Sequence, residues 1–196
     1  MDASTLRPMS PADVTDVVAL QRAYLKGSIV TDLGAGFLAR FHAAALEHSA
    51  TRAFVIRTAN DLAGFAIGTT DVGGFNRSVK PRVLLPLVRA LLSPTGLALV
   101  PQFLRAVGEH GPQPHIAAEL LLLAVDERAR RQGVGRRLLA AVEQAFARDG
   151  VAEYRVAVRT HLDDARRFYG ALGFTTEQEL PVLGRPMTYL TKRLHT

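Results

Sequence analysis

The sequence predicts a domain of the α+β or mixed α/β class, and three observations lead to this fold class. The chain has 196 residues, of which 48% are hydrophobic, and this is enough for a substantial core. Segments with the apolar period of helices alternate along the chain with short apolar segments typical of strands. The connections between them are mixed, and no internal repeat or low-complexity segment is present, which favours this class over a repeat architecture.

The N-terminal part predicts two amphipathic helices. The first begins at Ser10-Pro11, because Ser is a good N-cap and Pro is accepted at the first helical position, and Gly27 ends it. The second covers about residues 36–47, with phenylalanine and alanine side chains on one side.

A hairpin and an irregular apolar segment follow. Ala53–Arg57 and Leu62–Thr69 predict two strands joined by a polar turn. Residues 73–114 are strongly apolar in places, but proline, glycine and arginine divide them, so we expect one or two short helices. No uninterrupted apolar span of about 20 residues exists, and a membrane-spanning helix is therefore not expected. The segment could serve core packing, a dimer contact or a wall over an acceptor site, and the first two are the commoner roles.

The C-terminal half predicts alternating strands and helices that end in a pair of strands. The predicted elements are the strand His115–Val125, the helix Val134–Arg148, the strand Tyr154–Val158, the helix Asp163–Leu172, and the strand pair Phe174–Glu179 and Met187–Lys192.

The composition excludes several classes of site. The chain has no cysteine, which excludes disulfides, thiol-ligated zinc and a cysteine nucleophile. No metal site is predicted either, because no His-x-x-x-His pair lies on one predicted helix. Met1–Ser10 lacks a basic segment followed by an apolar one, so we predict no secretory signal and expect a cytoplasmic protein.

The net charge is +6 and comes almost entirely from arginine, since lysine occurs only at Lys26, Lys80 and Lys192. The rigid fork of donors on arginine binds phosphate well, although most arginines are expected to be solvated surface residues. A nucleic-acid interface would need a basic stripe with interleaved aromatics, and aromatic residues make up only 7% of the chain. We therefore do not expect nucleic acid as a partner.

The turn after the strand 115–125 predicts a site for a phosphate group. Its sequence is Arg130-Arg131-Gln132-Gly133-Val134-Gly135-Arg136, and the helix 134–148 begins within it. The first N–H groups of a helix have no partner inside it, and the helix dipole favours negative charge there. Two glycines let a ligand approach this backbone closely. A pyrophosphate, and with it a nucleotide-like cofactor, is the ligand we expect.

Two motifs in this half resemble the GNAT superfamily of N-acetyltransferases, which use acetyl-coenzyme A. The pyrophosphate loop of that family, Gln/Arg-x-x-Gly-x-Gly/Ala, is matched by residues 130–135. Its later motif, an Ala followed by Phe-Tyr and then Leu-Gly-Phe, is matched by Ala165, Phe168-Tyr169 and the segment 172–174. The resemblance covers about residues 115–175. It implies a single domain over residues 1–196, with a central mixed, mostly antiparallel sheet flanked by helices and a helical insertion (73–114) between strands 3 and 4.

The resemblance also implies site roles, with acetyl-coenzyme A as acyl donor and no metal. Main-chain groups of Leu123, Ala124 and Val125 would pair with the pantetheine arm, and the Val125 N–H would polarise the thioester carbonyl. Tyr169 would protonate the departing thiolate of coenzyme A. The pyrophosphate would be held by the loop residues Arg130, Arg131, Gln132, Gly133, Val134, Gly135 and Arg136.

Glu119 lies where some family members keep a general base. An amine acceptor must lose a proton before it attacks, so such a base would have a task here. The strand pattern predicts that Glu119 shares a face with Leu121 and Leu123, and desolvation by these neighbours would raise its pKa. A surface role or a salt bridge is an equal alternative, as is proton transfer through a chain of water molecules.

One position departs from the family pattern. An Asn that commonly lies three residues before the motif Ala is Leu162 here, and His161 precedes it. The usual side-chain hydrogen bond to the cofactor arm is therefore in doubt. His161 could replace it or act near the acceptor, although a lone His is more often a loop residue.

The reaction implied by this resemblance is direct acetyl transfer to a primary amine of a small-molecule acceptor. The acceptor is expected between the 27–36 connection, the 73–114 insertion and the 181–186 loop. A faint similarity of residues 27–38 to GNAT proteins of bacterial glycan synthesis suggests an amino sugar or related metabolite. Two alternatives stay open: acetylation of a protein or peptide amine, and a non-catalytic acyl-coenzyme A-binding regulatory module. A homodimer is also left open.

Overall fold

The computed structural model describes residues 4–25, 29–59, 61–79, 116–182 and 185–194. In chain order the strands are β1 (Thr5–Pro8), β2 (Thr51–Arg57), β3 (Leu62–Thr69), β4 (Ala118–Val125), β5 (Glu153–Arg159), β6 (Thr175–Val182) and β7 (Arg185–Arg193). The helices are α1 (Val14–Tyr24), α2 (Ile29–Asp32), α3 (Ala35–Glu47), α4 (Val134–Arg148) and α5 (Asp163–Gly170). Short 3-10 turns cover Pro11–Asp13 and Glu127–Ala129.

The strands form one sheet in the order β1-β2-β3-β4-β5-β7-β6. Every neighbouring pair is antiparallel except β4 and β5, which are parallel. The predicted mixed, mostly antiparallel sheet is therefore confirmed.

Helices cover both faces of this sheet. On one face, α4 contributes Leu138, Val142 and Phe146 to a core that also contains Tyr154 and Tyr169. The apolar stripe that the sequence predicted for residues 134–148 is the buried side of this helix. On the other face, α1 packs against β3 and β4, and α3 packs against α1 and β2. The site lies where β4 passes between these two layers.

The predicted elements are present, with ends that differ by a few residues. The first helix begins as a 3-10 turn at Pro11, where the carboxylate of Asp13 accepts hydrogen bonds from the backbone N–H and the hydroxyl of Ser10 at 2.9 and 2.7 Å. The edge strand β1 was not predicted from the sequence. Residues 72–79 are helical, but the rest of the predicted insertion lies outside the described residues, as does the predicted helix end at Gly27.

Strand β4 contains a β-bulge that determines the shape of the site. Ile67 of β3 is opposite Leu122 and Gly68 is opposite Leu120, so Leu121 is an extra residue without a partner in β3. A bulge bends its strand and shifts the direction of the side chains that follow. On its other side β4 pairs with β5 only over Ala118–Leu120. The two parallel strands therefore diverge where the bulge occurs.

Candidate active site

The divergence of β4 and β5 opens a cleft in the middle of the sheet. A cavity of about 480 Å³ lies there, lined by Leu120–Leu123 of β4 and by Val156–Arg159 of β5. We call it the strand cavity. Its volume is within the range of small-molecule sites. The sheet therefore offers a pocket between two strands that are hydrogen-bonded only at one end.

The main chain of β4 presents hydrogen-bonding groups to this cleft. The Asp126 N–H donates to the Ala63 oxygen of β3 at 2.9 Å. Because main-chain groups alternate between the two sides of a strand, Ala124 directs its groups toward β3 in the same way. Leu123 and Val125 then direct theirs toward the open edge. An added extended segment could pair with Leu123 and Val125 there, whereas the main chain of Ala124 is turned away from this edge.

A second cavity, of about 910 Å³, lies beside the N-terminus of α4. We call it the loop cavity. Gly133 is the N-cap of α4 and has φ 79°, and Arg131 also has a positive φ of 58°. Within the described part of the chain, none of the N–H groups from Arg131 to Arg136 donates to a protein acceptor. Such a row of unbonded amides at a helix N-terminus is a site for an anion.

Side chains add positive charge to the loop cavity. Arg130, Arg131 and Arg136 line it, and Asp164 is the acid among the described lining residues. The Arg130 guanidinium lies over the Tyr24 ring at 4.9 Å and its Nε donates to the Val125 oxygen at 3.4 Å. These contacts hold Arg130 beside Tyr24, which lines both cavities. Three arginines and a row of amides suit a polyphosphate better than a neutral ligand.

Gln132 differs from the rest of the predicted loop residues. Its side chain donates to the Arg128 oxygen at 2.6 Å, and it does not line the loop cavity. The side chain thus stabilises the turn before α4, and only its main-chain N–H remains available to a ligand.

Tyr169 lies at the junction of the two cavities and lines both of them. Glu119, the other predicted catalytic residue, lines neither cavity. Burial raises the pKa of Tyr169 above its ordinary value of 10.0. Its ring packs edge-on against Phe168 and Phe174, which fixes its position. The hydroxyl therefore stays protonated at neutral pH and can act as a proton donor.

Glu119 lies one strand residue before the cavity lining begins and lines neither cavity. Its Oε2 accepts two hydrogen bonds from Arg155, at 2.9 and 2.6 Å. Burial raises the pKa of Glu119, while the positive charge of Arg155 opposes that change. The upward direction agrees with the expectation from the sequence and comes from burial, although Glu119 lies in an ion pair with Arg155 and not in a purely apolar surrounding.

The predicted face shared by Glu119, Leu121 and Leu123 is wrong for Leu123. Leu121 belongs to the cores on the α1 and α3 side of the sheet, whereas Leu123 packs on the α4 side. The extra residue at Leu121 reverses the alternation of the residues that follow it. A strict two-residue period cannot anticipate such a reversal.

Sequence reasoning missed several residues of the strand cavity. Thr31 of α2, Arg159 of β5 and Arg185 of β7 all line it. Leu162, which stands at the position of the usual Asn, lines it as well, and so does His161, for which the sequence suggested a role near the acceptor. The period of two that runs through Arg155 and Arg159 was the available signal, since it places both arginines on one face of β5. Membership of the cavity depends on the divergence from β4 and was not visible in the sequence.

The described residues contain neither a candidate metal site nor a candidate membrane-spanning helix. No cluster of His, Asp and Glu side chains there could hold a metal ion. No helix in these parts of the chain has the length and apolar character needed to cross a membrane.

The comparisons with known proteins agree with this geometry. Residues 28–174 match the model of the acetyltransferase (GNAT) family. A search of curated proteins gave no match. The crystal structure of SsHAT is similar to this chain with 23% identity and a TM-score of 0.71, covering 99% of this chain and 100% of that one.

Two further solved structures share the fold. One is yncA from Salmonella typhimurium with its cofactor acetyl-CoA, at 16% identity and TM-score 0.61, covering 99% of this chain and 95% of that one. The other is the ribosomal-protein-S18-alanine N-acetyltransferase from Escherichia coli, at 17% identity and TM-score 0.62, covering 99% and 96%. At these identities the likeness concerns the fold alone.

Proposed function

Because the chain belongs to the GNAT acetyltransferase family, we propose that it transfers an acetyl group from acetyl-coenzyme A to the primary amine of a small-molecule acceptor. The carrying observation is the row of unbonded N–H groups from Arg131 to Arg136 beside three arginines, continuous with the open edge of β4. When bound there, acetyl-coenzyme A supplies an activated acyl thioester. The residues present fit it, because they offer donors for phosphates and an unpaired strand edge for an extended amide-containing arm.

The loop and β4 hold and orient the donor in this proposal. Amides of Arg131 to Arg136 bind the pyrophosphate, and the side chains of Arg130, Arg131 and Arg136 neutralise its charge. Leu123 and Val125 pair through their main chains with the pantetheine arm. The Val125 N–H then points to the cleft, where it can polarise the acyl carbonyl as an oxyanion-type donor.

Tyr169 holds the proton for the leaving sulfur. Its hydroxyl has no protein partner within the described residues, and its position at the junction of the cavities puts it beside both ligands. The raised pKa keeps the proton on the hydroxyl until a strong base, the thiolate, forms beside it.

Glu119 takes the proton of the acceptor ammonium through water in this proposal. A water link is needed because the Glu119 carboxylate binds Arg155 and does not line the strand cavity. Arg155 keeps the carboxylate charged and in one orientation, while burial raises its pKa toward the range useful for a base.

The strand cavity supports a small acceptor. A volume of about 480 Å³ accommodates a metabolite, and the cavity meets the loop cavity at Tyr169. A protein or peptide amine would require an open groove instead.

Release of free thiol from acetyl-coenzyme A, measured with small primary amines, amino sugars and short peptides, tests this function. Turnover of small amines with little turnover of peptides is the expected result. Turnover of peptides alone would replace the acceptor class with a protein amine. Tight binding of acetyl-coenzyme A by calorimetry with no turnover of any amine would indicate a non-catalytic binding module.

A further inference from the structure

Two arginines of β5 lie on the same face of the sheet but differ in their ion-pair partners. Arg155 and Arg159 lie on the same face of β5, since the strand has a period of two. Arg155 is neutralised by Glu119 at 2.6 Å. Arg159 has no carboxylate oxygen within ion-pairing distance among the residues that the structure describes. The arginine nearer the opening of the cleft is thus the one without a counter-ion.

The guanidinium of Arg159 is also incompletely hydrogen-bonded. Its Nη2 is buried and has no hydrogen-bond partner in the described part of the protein. A buried donor of a charged group without an acceptor is costly, and such groups in native proteins normally have a partner or receive one from a ligand.

A second positive charge lies beside it. Arg185, at the start of β7, lines the same cavity, and Arg159 is opposite Met187 two residues further along that strand. Burial and the charge of Arg185 lower the pKa of Arg159, while Asp32 at the end of α2 raises it. Asp32 does not line the cavity, and no acidic residue appears among its described lining residues. Among the described lining residues, the charged or titratable side chains at the polar end of this cavity are therefore Arg159, Arg185 and His161.

We propose that the acceptor carries an anionic group, a carboxylate or a phosphate, which binds Arg159 and Arg185 while its amine lies near Tyr169. This inference rests on the proposed function, because it concerns the acceptor of the same reaction. The apolar side chains Leu121 and Leu122 line the cavity beside these polar positions, so a short aliphatic or sugar spacer fits between the two groups of the acceptor.

The chemical step is the same as for any amine acceptor. The ammonium loses two of its three protons in the course of the reaction, a bond forms between the amine nitrogen and the acetyl carbon, and the bond from that carbon to sulfur breaks. One proton ends on the coenzyme A thiol, delivered by Tyr169, and the other goes to solvent. The anionic group takes no part in bond making and serves to bind and orient the acceptor.

Matched pairs of acceptors test the inference in the wild-type protein. One pair is 3-aminopropanoate and 3-aminopropanamide, and the other is 2-aminoethyl phosphate and 2-aminoethanol. We expect kcat/KM from thiol release to be at least about 10-fold higher for the anionic member of at least one pair, since arginine makes charge-assisted hydrogen bonds to either anion. The pair with the larger ratio of kcat/KM between its anionic and its neutral member shows whether the cavity prefers a carboxylate or a phosphate. Equal rates within both pairs would overturn the inference and leave the transferase function standing.

Substitutions of the cavity arginines test whether they cause the preference for the anionic acceptor. Arg159→Leu and Arg185→Gln should reduce the ratio toward one while the Kd for acetyl-coenzyme A, measured by calorimetry, stays unchanged. Arg193→Gln is the matched control, because it removes an arginine from the same strand β7 whose side chain is 82% exposed. A ratio that survives in both cavity variants, or falls equally in the control, would contradict binding by these arginines. The wild-type pairs remain decisive if a cavity variant does not fold. Absence of turnover with every amine, despite binding of acetyl-coenzyme A, would instead overturn the proposed function itself.

Discussion

Replacing Gly133 by Ala tests whether the N-terminus of α4 is the phosphate site. Gly133 has φ 79°, and a Cβ built there has no protein atom within 4 Å. Gly150, just beyond the C-terminal end of the same helix, has φ 77° and is equally open. Left-handed backbone costs a non-glycine residue about 1–2 kcal/mol. Both substitutions should therefore destabilise the protein by a similar amount, and each 1 kcal/mol should lower Tm by roughly 2–4 °C.

The affinity for acetyl-coenzyme A should differ between Gly133→Ala and Gly150→Ala. The open space beside Gly133 belongs to the loop cavity, so the added methyl group would occupy volume that a phosphate needs. Loss of one charge-assisted hydrogen bond costs about 1.5–3 kcal/mol, which corresponds to a rise in Kd of roughly 10- to 100-fold. Gly150 does not line either cavity, and Gly150→Ala should bind acetyl-coenzyme A like the wild type.

Calorimetric titration with acetyl-coenzyme A, together with thermal unfolding of both variants, measures the two effects. Equal loss of stability with loss of affinity only in Gly133→Ala is the expected result. A Kd that stays at the wild-type value in both variants would refute the assignment of the phosphate to this helix end. A fall in affinity in both would mean that the effect arises from general destabilisation.

Three further substitutions address the remaining roles. Tyr169→Phe should lower kcat at least 10-fold with an unchanged Kd for acetyl-coenzyme A, because general acid catalysis contributes about 10²–10⁴-fold, and unchanged turnover would count against the acid role. Glu119→Gln should strongly reduce the rate at neutral pH and remove the acid limb of the pH–rate profile, so an unaltered profile would eliminate Glu119 as the base. His42 of α3 is buried, and its Nε2 lies 2.7 Å from Oε1 of Gln21. His42→Gln should reduce the pH dependence of stability, because burial lowers the pKa of His42 from 6.5 to about 4. The unfolded chain then takes up a proton first as the pH falls, and about 2 kcal/mol of stability should be lost between pH 7.5 and 5 in the wild type. Urea unfolding at these two pH values measures the loss, and an equal loss in the variant would contradict this origin.

The elements that the sequence predicted correctly have strong local signals. The apolar stripe of 134–148 fixes the helix, and the glycine at 133 fixes its start, because left-handed backbone there favours glycine. Tyr169 was identified by its place in a motif, and it lines both cavities. These features depend on residues close together in the chain, which is why a sequence shows them.

The features that the sequence did not predict depend on long-range pairing. Strand β1 is four residues long and gains its partner from β2, far along the chain. The bulge at Leu121 exists only in relation to the register of β3, and it changes which residues face the cavity. The contact of Glu119 with Arg155 and the exposure of Arg159 to the cleft follow from the point at which β4 and β5 diverge.

Backbone amide chemical shifts during titration with coenzyme A test the central claim most directly. In an isotope-labelled sample, the amides of Arg131 to Arg136 should show the largest changes, together with Leu123 and Val125 on β4, while Gly150 stays unchanged. Saturable binding that leaves the amides of Arg131 to Arg136 unperturbed would contradict the account.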